Sequence, residues 1–272
     1  MTSDLPKIVL KDVACHFAIL GDFLEAVPYG NGHINDTYAA IFDQGGTNVR
    51  YILQRINDRV FREPLKLMEN IARVTSHIRA KLEAGGVEDT SREVMTLVKT
   101  LEGRDCHVDG EGHVWRCYIF VEGAKSYDII ESPAQAFQAA KAFGAFQRNL
   151  MDYAGPRLHE TIPCFHDTRE RFRALQKAIE RDRHNRARLA KEELSFALAN
   201  EALVDSLLAL KARGEIPERI THNDTKLNNV LLDDVTGEGM CVLDLDTVMP
   251  GLSLYDFGDM VRTATNPAAE DE

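Results

Sequence analysis

The sequence has too few basic residues to balance its acidic ones. Lys and Arg number 32 against 43 Asp and Glu, which gives a formal net charge of −11. A surface of that sign repels the phosphate backbone of nucleic acid, so we expect no nucleic-acid partner. A nucleotide is still compatible with it, because a bound Mg²⁺ brings its own positive charge.

Long hydrophobic runs and a secretion signal are missing as well. No stretch approaches the roughly 20 apolar residues of a membrane span, and residues 1–10 lack a basic segment leading into an apolar one. The five cysteines are scattered and odd in number, which favours reduced thiols over a disulfide framework. These features predict a cytoplasmic protein with no membrane partner, and they leave the oligomeric state open.

Short β-type runs dominate the first half of the chain. Residues 37–42 and 49–55 flank a Gly-rich turn and predict a hairpin, and 95–101 and 113–121 predict two further strands. Between them, 58–82 shows the spacing of an amphipathic helix. The second half is mainly helical in pattern. Its predicted helices begin at Ser132-Pro133, span 168–189 and span 191–213.

A change from strand to helix pattern therefore occurs near Glu122-Gly123, which we interpret as a hinge. The predicted fold is α+β, with a small antiparallel-sheet N-terminal lobe in 1–121 and a mainly helical C-terminal lobe in 122–272. If a nucleotide binds between the lobes, the backbone around Phe120 and Glu122 is where its adenine ring would lie.

The most informative motif joins His222, Asp224 and Asn229. Their spacing, H-x-D-x-x-x-x-N, is that of the kinase catalytic loop. A lone H-x-D is weak evidence, and a loop with capping Asn and Asp residues is the competing interpretation. The residues C-terminal to the motif make it more specific.

Two apolar runs, 230–232 and 240–243, lie there on either side of an Asp- and Gly-rich turn. Pairing them as an antiparallel hairpin brings Asn229, just before the first run, beside Asp244, just after the second. Amide and carboxylate oxygens suit Mg²⁺. The sequence thus predicts Asn229 and Asp244 as metal ligands and Asp224 as the catalytic residue that orients an attacking hydroxyl.

Three further acidic residues lie close to this motif. Asp256 opens a D-F-G triplet but does not follow the second hairpin strand, so we interpret it, with Asp259, as a helix cap or a structural hydrogen-bond acceptor. Strand alternation points Asp246 away from Asp244, although strand ends often bend, and its role stays open.

Two segments of the first half fit the phosphates of a nucleotide. Gly30, Asn31 and Gly32 could bring backbone N–H groups close to phosphate, although a plain turn explains them equally well. Arg55 ends a strand where kinases usually place Lys, and Glu69 on the following helix is its predicted partner. An exposed Arg and a solvated Glu are the competing interpretations.

Several strings in the chain resemble the N-acetylhexosamine 1-kinases, within the aminoglycoside phosphotransferase and choline kinase-like superfamily. They are GNGHINDTY at 30–38, YILQRIN at 51–57, LMENI at 67–71, HNDTKLNN at 222–229 and DLDTVMPG at 244–251. The resemblance implies a bilobal protein kinase-like fold and transfer of the ATP γ-phosphate, with Mg²⁺, to the anomeric hydroxyl of GlcNAc or GalNAc. Because members of that family continue for some tens of residues beyond the position that matches Glu272, we interpret 266–272 as a clipped end.

Two other functions stay open. One is a kinase of the same fold with another small acceptor, such as an aminoglycoside or a choline-like compound. The other is a non-catalytic, nucleotide-binding regulatory protein. The joint presence of Asp224, Asn229 and Asp244 argues against the last, because a binding module does not need all three.

Overall fold

The computed structural model describes residues 5–30, 32 and 34–266. Asn31 and the end of the chain, 267–272, lie outside the described residues. The helices are α1 (Lys7–Ala14), α2 (Pro64–Ala84), α3 (Pro133–Leu150), α4 (Thr168–Arg181), α5 (Lys191–Ala199), α6 (Ser206–Ala212) and α7 (Ser253–Thr265). The strands are β1 (Asp22–Pro28), β2 (Asp36–Asp43), β3 (Asn48–Arg55), β4 (His107–Val108), β5 (Val114–Ile119), β6 (Ala124–Lys125), β7 (Arg219–Thr221), β8 (Val230–Asp233), β9 (Gly239–Val242) and β10 (Met249–Gly251).

The N-terminal half forms a five-stranded sheet in the order β1-β2-β3-β5-β4. The predicted hairpin is confirmed as β2 and β3, which pair antiparallel from Asp36↔Arg55 to Asp43↔Asn48. The predicted strand at 95–101 is wrong as a regular strand. It runs beside β5 as an irregular segment, joined to it by an isolated bridge between Leu97 and Tyr118.

The two faces of this sheet are buried against different layers. Leu53 and Trp115 lie on the outer face, where they pack in a small core against α1. Because side chains alternate along a strand, the neighbouring Ile52, Gln54 and Arg116 point to the inner face, toward the C-terminal half. This alternation decides which charged residues of the sheet can reach a site between the halves.

The main core lies around α2 and α3 and contains residues of both halves of the chain. The predicted helix start is confirmed, because Ser132 accepts a hydrogen bond from the Gln135 N–H at 3.3 Å and Pro133 opens α3. The predicted helix at 168–189 ends earlier, at Arg181. There the Asp182 side chain accepts the N–H groups of Arg186 and Ala187 and turns the chain. A 3₁₀ turn, Glu201–Asp205, likewise divides the predicted 191–213 helix into α5 and α6.

Two small sheets in the C-terminal half hold the loops that come after β7 and β9. One has the order β6-β8-β9, and the other pairs β10 with β7. Gly123 enters β6 with a positive φ of 65°, and its carbonyl accepts the Asp234 N–H at 3.0 Å. A hinge and a boundary at 121/122 remain predictions. No helix in the described part of the chain is long and apolar enough to cross a membrane.

Candidate active site

A buried histidine shapes the loop after β7. The His222 side chain is fully buried, and its Nε2 lies 2.8 Å from the Leu243 carbonyl oxygen. Its Nδ1 accepts the Asp224 N–H at 3.3 Å. The two contacts together require a neutral ring with the proton on Nε2. His222 therefore ties the loop to the end of β9 and fixes the backbone from which Asp224 projects.

Asp224 and Asn229 meet, as the sequence predicts. Asn229 Nδ2 donates to Asp224 Oδ2 at 3.0 Å and to the Asp224 carbonyl oxygen at 2.8 Å. The Lys226 ammonium lies 3.3 Å from Asp224 Oδ1. Sequence reasoning missed this lysine, although it lies only two residues beyond Asp224 inside the motif. Asp224 thus has an amide on one oxygen and a cation on the other.

The hairpin that should bring Asp244 to the same place is confirmed. β8 and β9 pair with Val230 opposite Val242, and the Leu243 N–H donates to the Asn229 carbonyl at 2.8 Å. Asp244 comes next along the chain, in the left-handed conformation with φ of 51° and ψ of 63°. The turn bends the chain at Asp244, which is an exposed residue there.

The electrostatics at Asp244 fit a bound cation. Desolvation by the surrounding protein, together with the charges of Asp246 and Asp224, raises the pKa of Asp244 to about 7. The side chain of Asn229 donates through its nitrogen to Asp224, which leaves its amide oxygen as an acceptor. No cluster of three or more His, Cys, Asp or Glu side chains with metal-site geometry occurs among the described residues. A site here would therefore combine one amide with carboxylates, a donor set suited to Mg²⁺.

Asp256 and Asp259, both on α7, are structural acceptors for the loop. The buried Asp256 carboxylate accepts the His222 N–H at 3.0 Å and the Asn223 N–H at 2.7 Å. Asp259 accepts the Thr225 N–H at 2.8 Å. The D-F-G triplet that Asp256 opens is therefore part of the scaffold beneath the loop, because its carboxylate is occupied by backbone donors.

The structure gives Arg55 a partner other than the predicted Glu69, and its contact with a nucleotide stays a prediction. Arg55 pairs with Asp36 across the β2–β3 hairpin, with Nη2 2.5 Å from Oδ2, and its guanidinium carbon lies 5.8 Å from the Trp115 ring on the outer face. Alternation along β3 puts Arg55 on the face of Leu53, away from the site. The cation on the inner face is Arg116 of β5, which sequence reasoning missed. The alternation of Val114–Ile119 carries the signal that would have found it.

Glu69 likewise has partners other than the predicted one, and its place in a nucleotide site stays a prediction. Glu69 is bound by His159 Nε2 at 2.7 Å and by Arg73, not by Arg55. The residue of α2 that reaches the loop region is the neighbouring Asn70, which is fully buried. It donates to the Val248 carbonyl at 3.1 Å and accepts the His159 N–H at 2.9 Å. Helical spacing already puts position 70 on the buried face.

The remaining predicted nucleotide residues lie in the loop between β1 and β2 and in the segment that follows β5. Gly30 and Gly32 are in the loop between β1 and β2, Gly30 with a positive φ of 80°, while Asn31 is outside the described residues. The Phe120 ring lies under the Arg50 guanidinium, 3.8 Å from its carbon. Glu122 forms an ion pair with Arg50, with Nε 2.8 Å from Oε1. Their contact with a nucleotide remains a prediction.

Comparison with known proteins identifies the family. A model of the phosphotransferase enzyme family matches residues 25–272. The chain belongs to this family. Among solved structures, this phosphotransferase is similar to a spectinomycin phosphotransferase determined with ADP and spectinomycin, at 17% identity and a TM-score of 0.55, covering 98% of this chain and 82% of that one.

Two other structures show the same likeness. An aminoglycoside phosphotransferase from Alicyclobacillus acidocaldarius is 14% identical with a TM-score of 0.60, covering 97% of this phosphotransferase and 72% of that chain. A choline kinase from Cryptosporidium parvum is 12% identical with a TM-score of 0.56, covering 90% and 66%. At these identities the likeness concerns the fold, and it confirms the expected bilobal, kinase-like α+β architecture.

Proposed function

We propose that this phosphotransferase transfers the γ-phosphoryl group of ATP, with Mg²⁺, to the anomeric hydroxyl of an N-acetylhexosamine. The observation that carries phosphoryl transfer is the contact of Asp224 with Asn229, 3.0 Å apart, at the end of the hairpin that delivers Asp244. Phosphoryl transfer depends on positioning and on neutralising charge, and this arrangement supplies both. The sugar acceptor rests on the family-specific strings of the sequence.

Each residue of the loop has a distinct task in this proposal. The acceptor hydroxyl lies against Asp224, which orients it and takes its proton as the oxygen bonds the γ-phosphorus and the bond from that phosphorus to the ADP oxygen breaks. Asn229 and Asp244 would hold Mg²⁺, which supplies positive charge against the phosphate oxygens when bound. Lys226, beside Asp224, adds a cation where negative charge develops.

The nucleotide is proposed to bind between the β1–β2 loop and the segment that follows β5. Gly30 and Gly32 leave room for a backbone approach to phosphate, since a Cβ at either position would meet nothing within 4 Å. The carbonyl groups of Glu122 and Gly123 already accept bonds from Arg92 and from the Asp234 N–H. The adenine ring would therefore lie beside Phe120 and would not bind the carbonyl groups of Glu122 and Gly123.

A second acceptor class is favoured by the structural neighbours. Spectinomycin and choline are the substrates named for two of the similar structures, so a cationic acceptor on the same machinery is the alternative. ADP release should be measured with ATP, Mg²⁺ and a panel of N-acetylhexosamines, aminoglycosides and choline. We expect only GlcNAc or GalNAc to stimulate release. Stimulation by an aminoglycoside or choline alone would assign the alternative acceptor class.

The catalytic assignment is tested by Asp224→Asn, which keeps the size of the side chain and removes its charge. Turnover should fall by about 10²–10⁴-fold, the usual contribution of a positioned base, while Mg²⁺-nucleotide binding persists. Asp205→Asn, which removes an exposed carboxylate paired with Arg169, is the control and should leave turnover unchanged. Nucleotide binding without turnover in the unmodified protein would favour a regulatory role instead.

A further inference from the structure

One buried ion pair joins the sheet to the turn that carries Asp244. Arg116 of β5 is 1% exposed and Asp246 is 2% exposed, and Arg116 Nη1 donates to Asp246 Oδ1. The two residues are 130 positions apart, and one belongs to the antiparallel sheet while the other lies two residues beyond Asp244. The pair is therefore a direct connection between the two halves of the protein at the site itself.

Both partners make further polar contacts around this connection. Arg116 Nε donates to Gln54 Oε1 at 3.0 Å, which fixes the guanidinium against the neighbouring strand. The second carboxylate oxygen of Asp246 accepts from Asn35 Nδ2 at 2.6 Å. Asn35 belongs to the segment between β1 and β2 that also contains the glycines. Asp246 thus contacts the sheet and the predicted phosphate loop while it lies next to a predicted metal ligand.

Charge explains why a buried cation is needed there. The turn that contains Asp244 and Asp246 follows the β8–β9 hairpin, and the other end of that hairpin begins at Asn229, the partner of Asp224. Three carboxylates therefore lie in one region of the protein. Burial lowers the pKa of Arg116, but Asp246, Tyr118 and Asp244 together raise it above its ordinary value. Arg116 neutralises the one carboxylate that is sealed from solvent, and Asp244, an exposed residue, stays available for a cation.

We infer that Arg116, acting through Asp246, is a positioning residue that holds Asp244 where it can bind Mg²⁺. Through the contact of Asp246 with Asn35, it also connects the turn at Asp244 to the loop that contains Gly30 and Gly32. The inference rests on the proposed function, because it takes Asp244 as a metal ligand. Arg116 is assigned a positioning role because its side chain is buried and binds Asp246.

The test measures binding, without turnover, of a non-hydrolysable ATP analogue by calorimetry, with and without Mg²⁺, and it follows unfolding in urea. Arg116→Met should weaken binding in the presence of Mg²⁺ by about 10–100-fold, the usual effect of losing a partner that orients a metal ligand. Binding without Mg²⁺ should change less than about threefold, well below that effect. Tyr118→Phe is the matched control. It lies on the same strand face, and its buried hydroxyl has no hydrogen-bond partner among the described atoms, so both measurements should stay at wild-type values.

A double variant separates positioning from stability. Arg116→Met leaves Asp246 buried and unpaired, so its urea midpoint should fall. Arg116→Met with Asp246→Asn removes both charges and should recover most of that midpoint, yet Mg²⁺-dependent binding should stay weak. If Arg116→Met does not fold, Arg116→Lys is the substitute. It keeps the charge but loses the Nε–H group that donates to Gln54, so it should show an intermediate loss of Mg²⁺-dependent binding.

The results that overturn the inference are distinct from those that overturn the function. Wild-type Mg²⁺-dependent binding in Arg116→Met, or full recovery of that binding in the double variant, would show that Arg116 serves stability alone. Failure of the unmodified protein to bind the analogue with Mg²⁺ would instead remove the proposed function, and the inference with it.

Discussion

Replacing Asp256 by Asn should destabilise the protein, although the side chain keeps its size. The carboxylate accepts the backbone N–H groups of His222 and Asn223 on separate oxygens, and Gln147 Nε2 donates to one of them at 2.7 Å. An amide has only one acceptor oxygen, so one of these buried donors would face an NH₂ group. A hydrogen bond to a charged group contributes about 1.5–3 kcal/mol, and leaving a buried donor unpaired costs about 1–3 kcal/mol.

Both figures describe the same lost bond, so the expected loss of unfolding free energy is about 1–3 kcal/mol, an appreciable part of the roughly 5–15 kcal/mol of a typical domain. Urea unfolding followed by far-UV circular dichroism measures it directly. The control is Glu218→Gln, an equivalent change at a half-buried carboxylate paired with Arg157, which should cost no more than about 1 kcal/mol. A loss below about 1 kcal/mol in Asp256→Asn would refute the view that this carboxylate organises the loop.

Three other outcomes are expected. Lys226→Met should lower turnover by about 10²-fold, the effect of removing one electrostatic donor. Steady-state kinetics measure this, and a turnover number equal to that of the wild type would contradict the assignment. Burial raises the pKa of Cys117, and that of Cys241 to about 12, so a thiol reagent should label them only in urea and not in the native protein. Hydrogen bonding by Arg157 lowers the pKa of Glu218 from 4.5 to about 2, so its stabilisation is complete above pH 4.5 and lost toward pH 2. Acid unfolding curves of wild type and Glu218→Gln should converge in that range.

The parts of the site that lie close in sequence could be predicted from the sequence. Asn229 and Asp244 are joined by one hairpin with a recognisable turn, so strand pairing alone brings them together. The same holds for β2 and β3, and for the start of α3 at Ser132-Pro133, where local chemistry decides the structure.

Sequence reasoning falls short where the structure depends on which face of a strand or helix packs against a distant part of the chain. The residue types at 55 and 69 fit a kinase pattern, but the face of a strand or helix that they occupy depends on what covers it. α1 packs on the outer face of the sheet, which is the face of Arg55, while Arg116 lies on the inner face. Asn70 was overlooked because a buried amide has no charge to suggest a function, although its spacing from Leu67 and Ile71 indicates burial.

The left-handed backbone at two site residues limits which side chains evolution can use there. Asn223 has a φ of 66° and Asp244 a φ of 51°, a region that Asn, Asp and Gly tolerate while other residues lose about 1–2 kcal/mol. At position 244 the backbone and the chemistry therefore select the same short carboxylate. Glutamate would carry the right charge, but the left-handed backbone disfavours its longer side chain. Natural sequences should therefore show fewer residue types at position 244 than a need for negative charge alone would allow.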